Sequence, residues 1–214
     1  ISGSPTTTVG SPFSYSITTT GNSCVTASAS GSITVNPVHA VSLVSAASTT
    51  DQILCVNTAI TNITYTLSGG ASGATVTGLP AGVTASVVGT TITISGTPTT
   101  SVGSPFSYNI STTGNTCLLA TANGTITVNA DHAINLSSAA STTNQTVCVN
   151  TSLVNITYTL SGGATGATVT GLPAGVTSSV AGTTLTISGS PITTVGSPFS
   201  YSITTTGNSC VTAS

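Results

Sequence analysis

Apolar and hydroxyl-bearing residues alternate with a period of two along much of the chain. Between Asn62 and Ser68, Ile63, Tyr65 and Leu67 fall on one side, Thr64 and Thr66 on the other. Ile92 and Ile94 share a side within Thr91–Ser95. So do Phe106, Tyr108 and Ile110, and further on Ile126 and Val128. This pattern predicts strands with one buried face. Threonine on the outer face suits a strand, because its branched β-carbon fits the pleated surface. Between the strands stand turn signals: Ser68-Gly-Gly, Gly78-Leu-Pro-Ala-Gly82, Gly96-Thr-Pro, Gly103-Ser-Pro and Thr113-Gly-Asn115. Glycine supplies unusual backbone angles there, and proline presets the turn. No stripe of period 3.6 interrupts the series, so no helix is expected.

The pattern itself repeats. Ile1–Ser28 and Ile187–Ser214 differ only at Thr6 against Ile192, and a third version starts at Ile94. The offset is 93 residues in both intervals. Cys24, Cys117 and Cys210 keep it, as do Cys55 and Cys148, and His39 and His132. A period this long exceeds a solenoid coil or propeller blade and suits a small domain. Seven to nine short strands per period predict an all-β fold of tandem immunoglobulin-like antiparallel sandwiches. Apolar alternation ends at Asn36 and restarts at His39, which places junctions near 37/38 and 130/131. Residues 1–37 then read as the C-terminal part of a preceding repeat. Residues 38–130 form one complete repeat, and 131–214 a repeat lacking its last strand. Residue 1 falls inside a strand-like pattern, so the chain reads as a piece of something longer. The junctions are two or three residues long, which favours a stiff rod.

Composition narrows the chemistry. The 214 residues include no Lys or Arg, two acidic residues and two histidines, for a formal charge of −2. Without cations the chain cannot neutralise phosphates, so nucleic-acid partners are excluded, as is electrostatic docking on anionic membranes. No apolar run reaches the length of a membrane-spanning helix, so membrane insertion is not expected. So few titratable groups leave little for general acid–base catalysis. No Gly-x-Ser-x-Gly elbow is present, and no enzyme activity or cofactor is expected.

One group of motifs resembles a known family. Gly78-Leu-Pro-Ala-Gly-Val-Thr84, then Gly89-Thr-Thr-Ile-Thr-Ile-Ser-Gly-Thr-Pro98 and Gly103-Ser-Pro-Phe-Ser-Tyr108, resemble the cadherin-like immunoglobulin-type repeats of large bacterial surface proteins. The cysteine-bearing ends resemble the PKD-like repeats of Bacteroidota adhesins, gliding-motility adhesins included. The resemblance covers essentially the whole 93-residue unit. It lacks the Trp-Asp motif of standard PKD domains and the acidic calcium motifs of true cadherins. It implies a non-enzymatic scaffold on the cell surface or in the extracellular space.

Five cysteines in such a chain indicate disulfides. Two pairings fit the period. Cys55–Cys117 with Cys148–Cys210 would staple each unit internally and leave Cys24 to pair outside these residues. Cys24–Cys55 with Cys117–Cys148 would cross the junctions and leave Cys210 over. The first is preferred, because it stabilises each unit independently. No Cys-x-x-Cys spacing supports a metal site.

The remaining candidates are weaker. His39 and His132 recur at the junctions, where they would bond across the interface; a pH-sensitive hinge or metal bridge is the sharper alternative. Asp51 and Asp131 do not recur, which argues against calcium. Gln52 and Gln145 recur and raise the question of a Thr–Gln ester link. The Thr64/Thr66 and Thr91/Thr93 rows raise that of ice binding, which a twisted sandwich does not suit. Asn62, Asn109, Asn123, Asn135, Asn144, Asn150 and Asn155 stand in Asn-x-Ser/Thr sequences and are candidate glycosylation sites. The expected role is a structural repeat of a long bacterial filament or adhesin, working as a disulfide-stapled rod. Its partners would be neighbouring repeats, laterally associated chains and glycans. The alternative is a glycan- or protein-binding adhesive module.

Overall fold

The computed structural model describes residues 1–21 and 24–214. Sixteen strands run along it: β1 (Phe13–Thr18), β2 (Ser28–Ile33), β3 (His39–Leu43), β4 (Asp51–Cys55), β5 (Ile63–Gly69), β6 (Ala71–Thr77), β7 (Val83–Val88), β8 (Thr91–Gly96), β9 (Phe106–Gly114), β10 (Thr121–Asn129), β11 (His132–Leu136), β12 (Ile156–Gly162), β13 (Ala164–Thr170), β14 (Val176–Ala181), β15 (Thr184–Gly189) and β16 (Ser202–Gly207). The only helical elements among the described residues are two short 3-10 turns, Ala47–Thr49 and Ala140–Thr143.

β3 to β10 form two four-stranded sheets, ordered β3-β5-β8-β7 and β4-β10-β9-β6. All neighbours are antiparallel except β4, which runs parallel to β10 from Asp51 opposite Thr125 to Cys55 opposite Asn129. This is the immunoglobulin-like sandwich, with its first strand split between the two sheets. The split falls at the 3-10 turn, which carries the chain from β3 across to β4. Thr49 fastens the turn, its hydroxyl donating to Ala46 O at 2.8 Å.

The alternation sorts the faces as the sequence predicts. Ile63, Tyr65 and Leu67 of β5 and Ile92 and Ile94 of β8 are buried against Tyr108, Ile110, Ile126 and Val128 of the facing sheet. Each such side chain stabilises the fold by roughly 1.5–3 kcal/mol on burial. On the outside Thr64 stands opposite Thr93 and Thr66 opposite Thr91, so the Thr rows pair across the strands.

The elements then recur at the sequence period: β3 begins at His39 and β11 at His132, β5 at Ile63 and β12 at Ile156. The second set differs in one way. β11-β12-β15-β14 is a full sheet, but its mate holds only β13 and β16. Residues 144–148, the counterpart of β4, form no strand. The counterpart of β10 would begin at Ser214, where the described residues end. At the other end β1 and β2 make a separate hairpin-like pair.

Two tyrosine pairs lie in these cores. The Tyr65 and Tyr108 hydroxyls are 3.2 Å apart, and Tyr108 donates to Thr50 O at 3.4 Å. Tyr158 and Tyr201 meet at 2.9 Å. Burial first, and then the hydrogen bond with Tyr65, push the Tyr108 hydroxyl well above the ordinary tyrosine range. Burial and Tyr158 do the same to Tyr201. A tyrosine whose folded pKa is raised binds its proton more tightly folded than unfolded. Its contribution is therefore intact below the unfolded value near 10 and is lost as pH rises beyond it. The urea midpoint of the protein is expected to fall between pH 9 and pH 11.5, and Tyr108→Phe is expected to flatten that fall. An equal fall in the variant would remove Tyr108 as its cause.

Candidate functional site: the junction between units

The junction at Asn129–His132 gathers most of the recurring chemistry. His132 N donates to Val211 O at 2.9 Å, tying the start of β11 to the segment after β16. The ring is buried. Its Nδ1 lies 2.9 Å from Thr205 Oγ1 and its Nε2 3.2 Å from Asn208 Oδ1. Asn208 is oriented by two further bonds: its Nδ2 donates to Ala130 O at 3.1 Å, and its Oδ1 accepts from Cys210 N at 2.9 Å. Asn208 Oδ1 is therefore an acceptor, so Nε2–H donates to it, and the Thr205 hydroxyl beside Nδ1 also donates to Ala213 O at 3.1 Å. Val211 N donates to Asp131 Oδ1 at 3.4 Å.

The same network stands one period earlier. His39 Nδ1 meets Thr112 Oγ1 at 2.8 Å, His39 Nε2 meets Asn115 Oδ1 at 3.1 Å, and Asn115 Nδ2 donates to Pro37 O at 2.9 Å. The expectation that these histidines bond across the interface is corrected. Each ring reaches residues of its own unit, and asparagine spans the connection instead. The glycine pair before β13 makes room for this. A Cβ on Gly163 would meet Asn208 Nδ2 and Ala130 O, and one on Gly162, where φ is +65°, would meet Asp131 O.

A disulfide crosses the junction. Cys55 bonds Cys210 at 2.01 Å, with Cα atoms 5.5 Å apart and a sequence separation of 155. Neither the preferred set, Cys55–Cys117 with Cys148–Cys210, nor the alternative Cys24–Cys55 with Cys117–Cys148 is formed. The reason lies in strand direction. β4 and β10 run parallel, so Cys55 ends beside Asn129 at the end of the unit that leads into the next. Cys117 lies before β10 starts, at the opposite end. The nine residues of β10 separate the two ends by roughly 25–30 Å, far beyond the ~7 Å a disulfide can span. Cys210 occupies the position of Cys117 in the following unit, and so stands at the junction, 3.9 Å from Asn129 O. On the chain-entropy model a loop of this length contributes about 5 kcal/mol.

The other singled-out residues have structural partners. Gln52 Nε2 donates to Thr49 O and Thr61 O at 2.9 and 2.8 Å, and Gln52 Oε1 accepts from Thr61 N at 2.8 Å. Gln145 repeats the clamp on Thr142 and Val154. Through these bonds the two glutamines brace the chain on either side of the 3-10 turns. Sequence spacing did not reveal this clamp; the glutamines' recurrence was the one signal. Asp51 accepts from Thr50 Oγ1 at 3.3 Å and is exposed. Among the described residues no three His, Cys, Asp or Glu side chains form a group able to hold a metal. No described helix is long and apolar enough to cross a membrane. The seven sequon asparagines are all exposed.

A groove of about 420 Å³ opens between residues 142–149 and the segment leading into β16, lined among others by Val147, Leu153, Ile156, Ile187, Phe199 and Tyr201. In the first unit the corresponding space is filled by Ile126 and Val128 of β10.

No protein-family model matches the chain, and no curated protein matches it. Its solved structural neighbours are tandem domains at low identity. A titin pair, A168–A169, is 10% identical over 84% of this chain and 95% of its own, with a TM-score of 0.44. Protocadherin γB7 extracellular cadherin domains 1–4 are 10% identical over 94% of this chain and 55% of theirs, at 0.45. The N-terminal Ig1–2 module of the Drosophila receptor protein tyrosine phosphatase DLAR is 12% identical over 82% and 93%, at 0.34.

Proposed function

We propose that the chain is a structural repeat of a long extracellular or cell-surface filament or adhesin. Each sandwich is chained to the next through a junction stiffened by a disulfide. The Cys55–Cys210 bond carries this reading, because it joins successive units rather than bracing one. The Asn208 and His132 networks hold the same junction from the connecting segment. Disulfides persist in oxidising surroundings, which agrees with a location outside the cytosol. The bacterial, Bacteroidota-type origin rests on the motif resemblance. Glycosylation at the exposed sequons and lateral packing of chains are two ways an almost uncharged surface stays soluble or is covered.

Negative-stain microscopy of the native material tests the proposal. A fibre is expected with an axial repeat of one unit, roughly 40 Å if strands of eight to ten residues lie along the axis. Dispersed globules, unchanged by a reductant, would overturn it.

A further inference from the structure

We infer that strands β7 and β14 are lateral docking edges, each pairing antiparallel with β7 or β14 of a second copy of this chain. The inference deepens the filament reading by naming the surface through which neighbouring chains pack side by side. It rests on that reading for its setting, not for the pairing itself.

The edge is open, and it recurs. β7 ends the sheet β3-β5-β8-β7, and β14 ends β11-β12-β15-β14, each with all four strands in place. Each has a strand on one side only, β8 and β15 respectively. Residues 82–89 read Gly-Val-Thr-Ala-Ser-Val-Val-Gly, and residues 175–182 read Gly-Val-Thr-Ser-Ser-Val-Ala-Gly.

The groups left for a partner follow from the register. β7 turns into β8 through Gly89 and Thr90, with Gly89 at φ +59° and Val88 opposite Thr91. A two-residue turn of this kind makes its flanking pair a hydrogen-bonded one. Such pairs alternate along an antiparallel ladder, so Val88, Ser86 and Thr84 direct their N–H and C=O groups at β8. Those of Ala85 and Val87 point away from it. Val83 N, further along, is taken by Pro80 O at 3.0 Å. In β14 the same count, started from Ala181 opposite Thr184, leaves Ser178 and Val180.

The side chains fit the same occupant. Val83 and Ala85 pack on the core, and Val87 falls on their side by alternation. Yet Val87 is 38% exposed and Val180 37%, because the sheet stops before the inward-facing valine is covered. A strand added antiparallel about Ser86 sets Ala85 of each copy opposite Val87 of the other. Each such pair exchanges two hydrogen bonds, and each half-bare valine gains a neighbour on the core side. The edge is thus self-complementary, as a two-fold contact between copies requires.

Nothing on the edge repels a second copy. Soluble proteins guard sheet edges with Lys, Pro, inward charges or bulges. β7 and β14 carry no charge and no Pro, and their ladders with β8 and β15 run without a register shift. The two carboxylates stand elsewhere, Asp51 on β4 and Asp131 just before β11. The neighbouring edge β6 does have an irregularity, between Ala71 and Gly73. Of the two adjoining edges, β7 is therefore the unguarded one. None of the seven sequon asparagines lies on β7 or β14.

The test uses the 214-residue chain with Cys55–Cys210 intact and the other cysteines alkylated. Light scattering is expected to show association that grows with concentration. Hydrogen exchange at Ala85, Val87, Ser178 and Val180 should slow as the concentration rises, while Ser86 and Ser179 stay protected throughout. Ala85→Pro with Ser178→Pro removes one outward N–H from each edge and spares the ladders to β8 and β15. Association should then weaken at least about tenfold. Val87→Lys with Val180→Lys should have the same effect by charging each edge, and decides the matter if the proline variant unfolds. Unchanged exchange at Ile92 and Ile94 reports an intact sandwich. A monomer at every concentration overturns the inference, as does association that protects other strands or survives both variants in folded form. Fibres in the native material without self-association of the chain would keep the rod and defeat the edge pairing. Edge-paired oligomers beside native material that is globular would do the reverse.

Discussion

Stretched between its ends in the oxidised form, the protein is expected to hide about 500 Å of chain that the reduced form releases, given ~3.3–3.6 Å per extended residue. The figure follows from the 155-position separation of Cys55 and Cys210. Tension entering at residue 1 passes along β1 to β4, reaches Cys55, crosses the disulfide and leaves through the last residues. Everything from β5 to β16 lies outside the loaded path. Only the strands before Cys55 can be drawn out, whatever the force, until the sulfur–sulfur bond is cut. Single-molecule extension with handles at the two ends measures this directly. In reductant the trace should show the additional length in one or two steps, as the sandwich cores yield. Cys55→Ser in oxidising buffer should reproduce the reduced trace. Equal total extension with and without reductant would show that the bond does not bridge the units in solution. An intradomain bond of the kind expected from spacing would hide only about 200 Å in each unit.

That difference shows where sequence reading stops. The strands were legible because alternation is a local property: Ile63, Tyr65, Leu67, Ile92, Ile94, Tyr108 and Ile110 all face the core as their spacing requires. The 93-residue period was legible as identity between Ile1–Ser28 and Ile187–Ser214. The disulfide was not, because spacing carries no information about which end of a sandwich a residue occupies. That depends on β4 running parallel to β10, a pairing between segments about seventy residues apart. The histidines failed for a related reason. Their recurrence at the junction was visible, but the direction of the buried rings, toward Thr112 and Thr205 of their own units, depends on the β9 and β16 backbones beside them. The glutamine clamps depend on the 3-10 turns, whose Ala-Ser-Thr sequence has no marked helical signature.

The incomplete second sandwich allows one core position to be compared in two surroundings. Ile110 and Ile203 are the same residue of the repeat, on β9 and β16. Ile110 is 0% exposed and enclosed by strands on both sides, β6 and β10. Ile203 is 7% exposed and pairs with β13 alone. Ile110→Ala is expected to cost about 2–5 kcal/mol, because the surrounding strands cannot collapse into the space left. Ile203→Ala should cost less, about 1–2 kcal/mol, since no strand encloses it on its second side and water already reaches its edge. Urea unfolding of the reduced chain, followed by hydrogen exchange to assign each transition to its unit, measures both. The second unit is expected to unfold first. Equal penalties at the two positions would show that a strand paired on one side encloses its core residue as well as a strand paired on both.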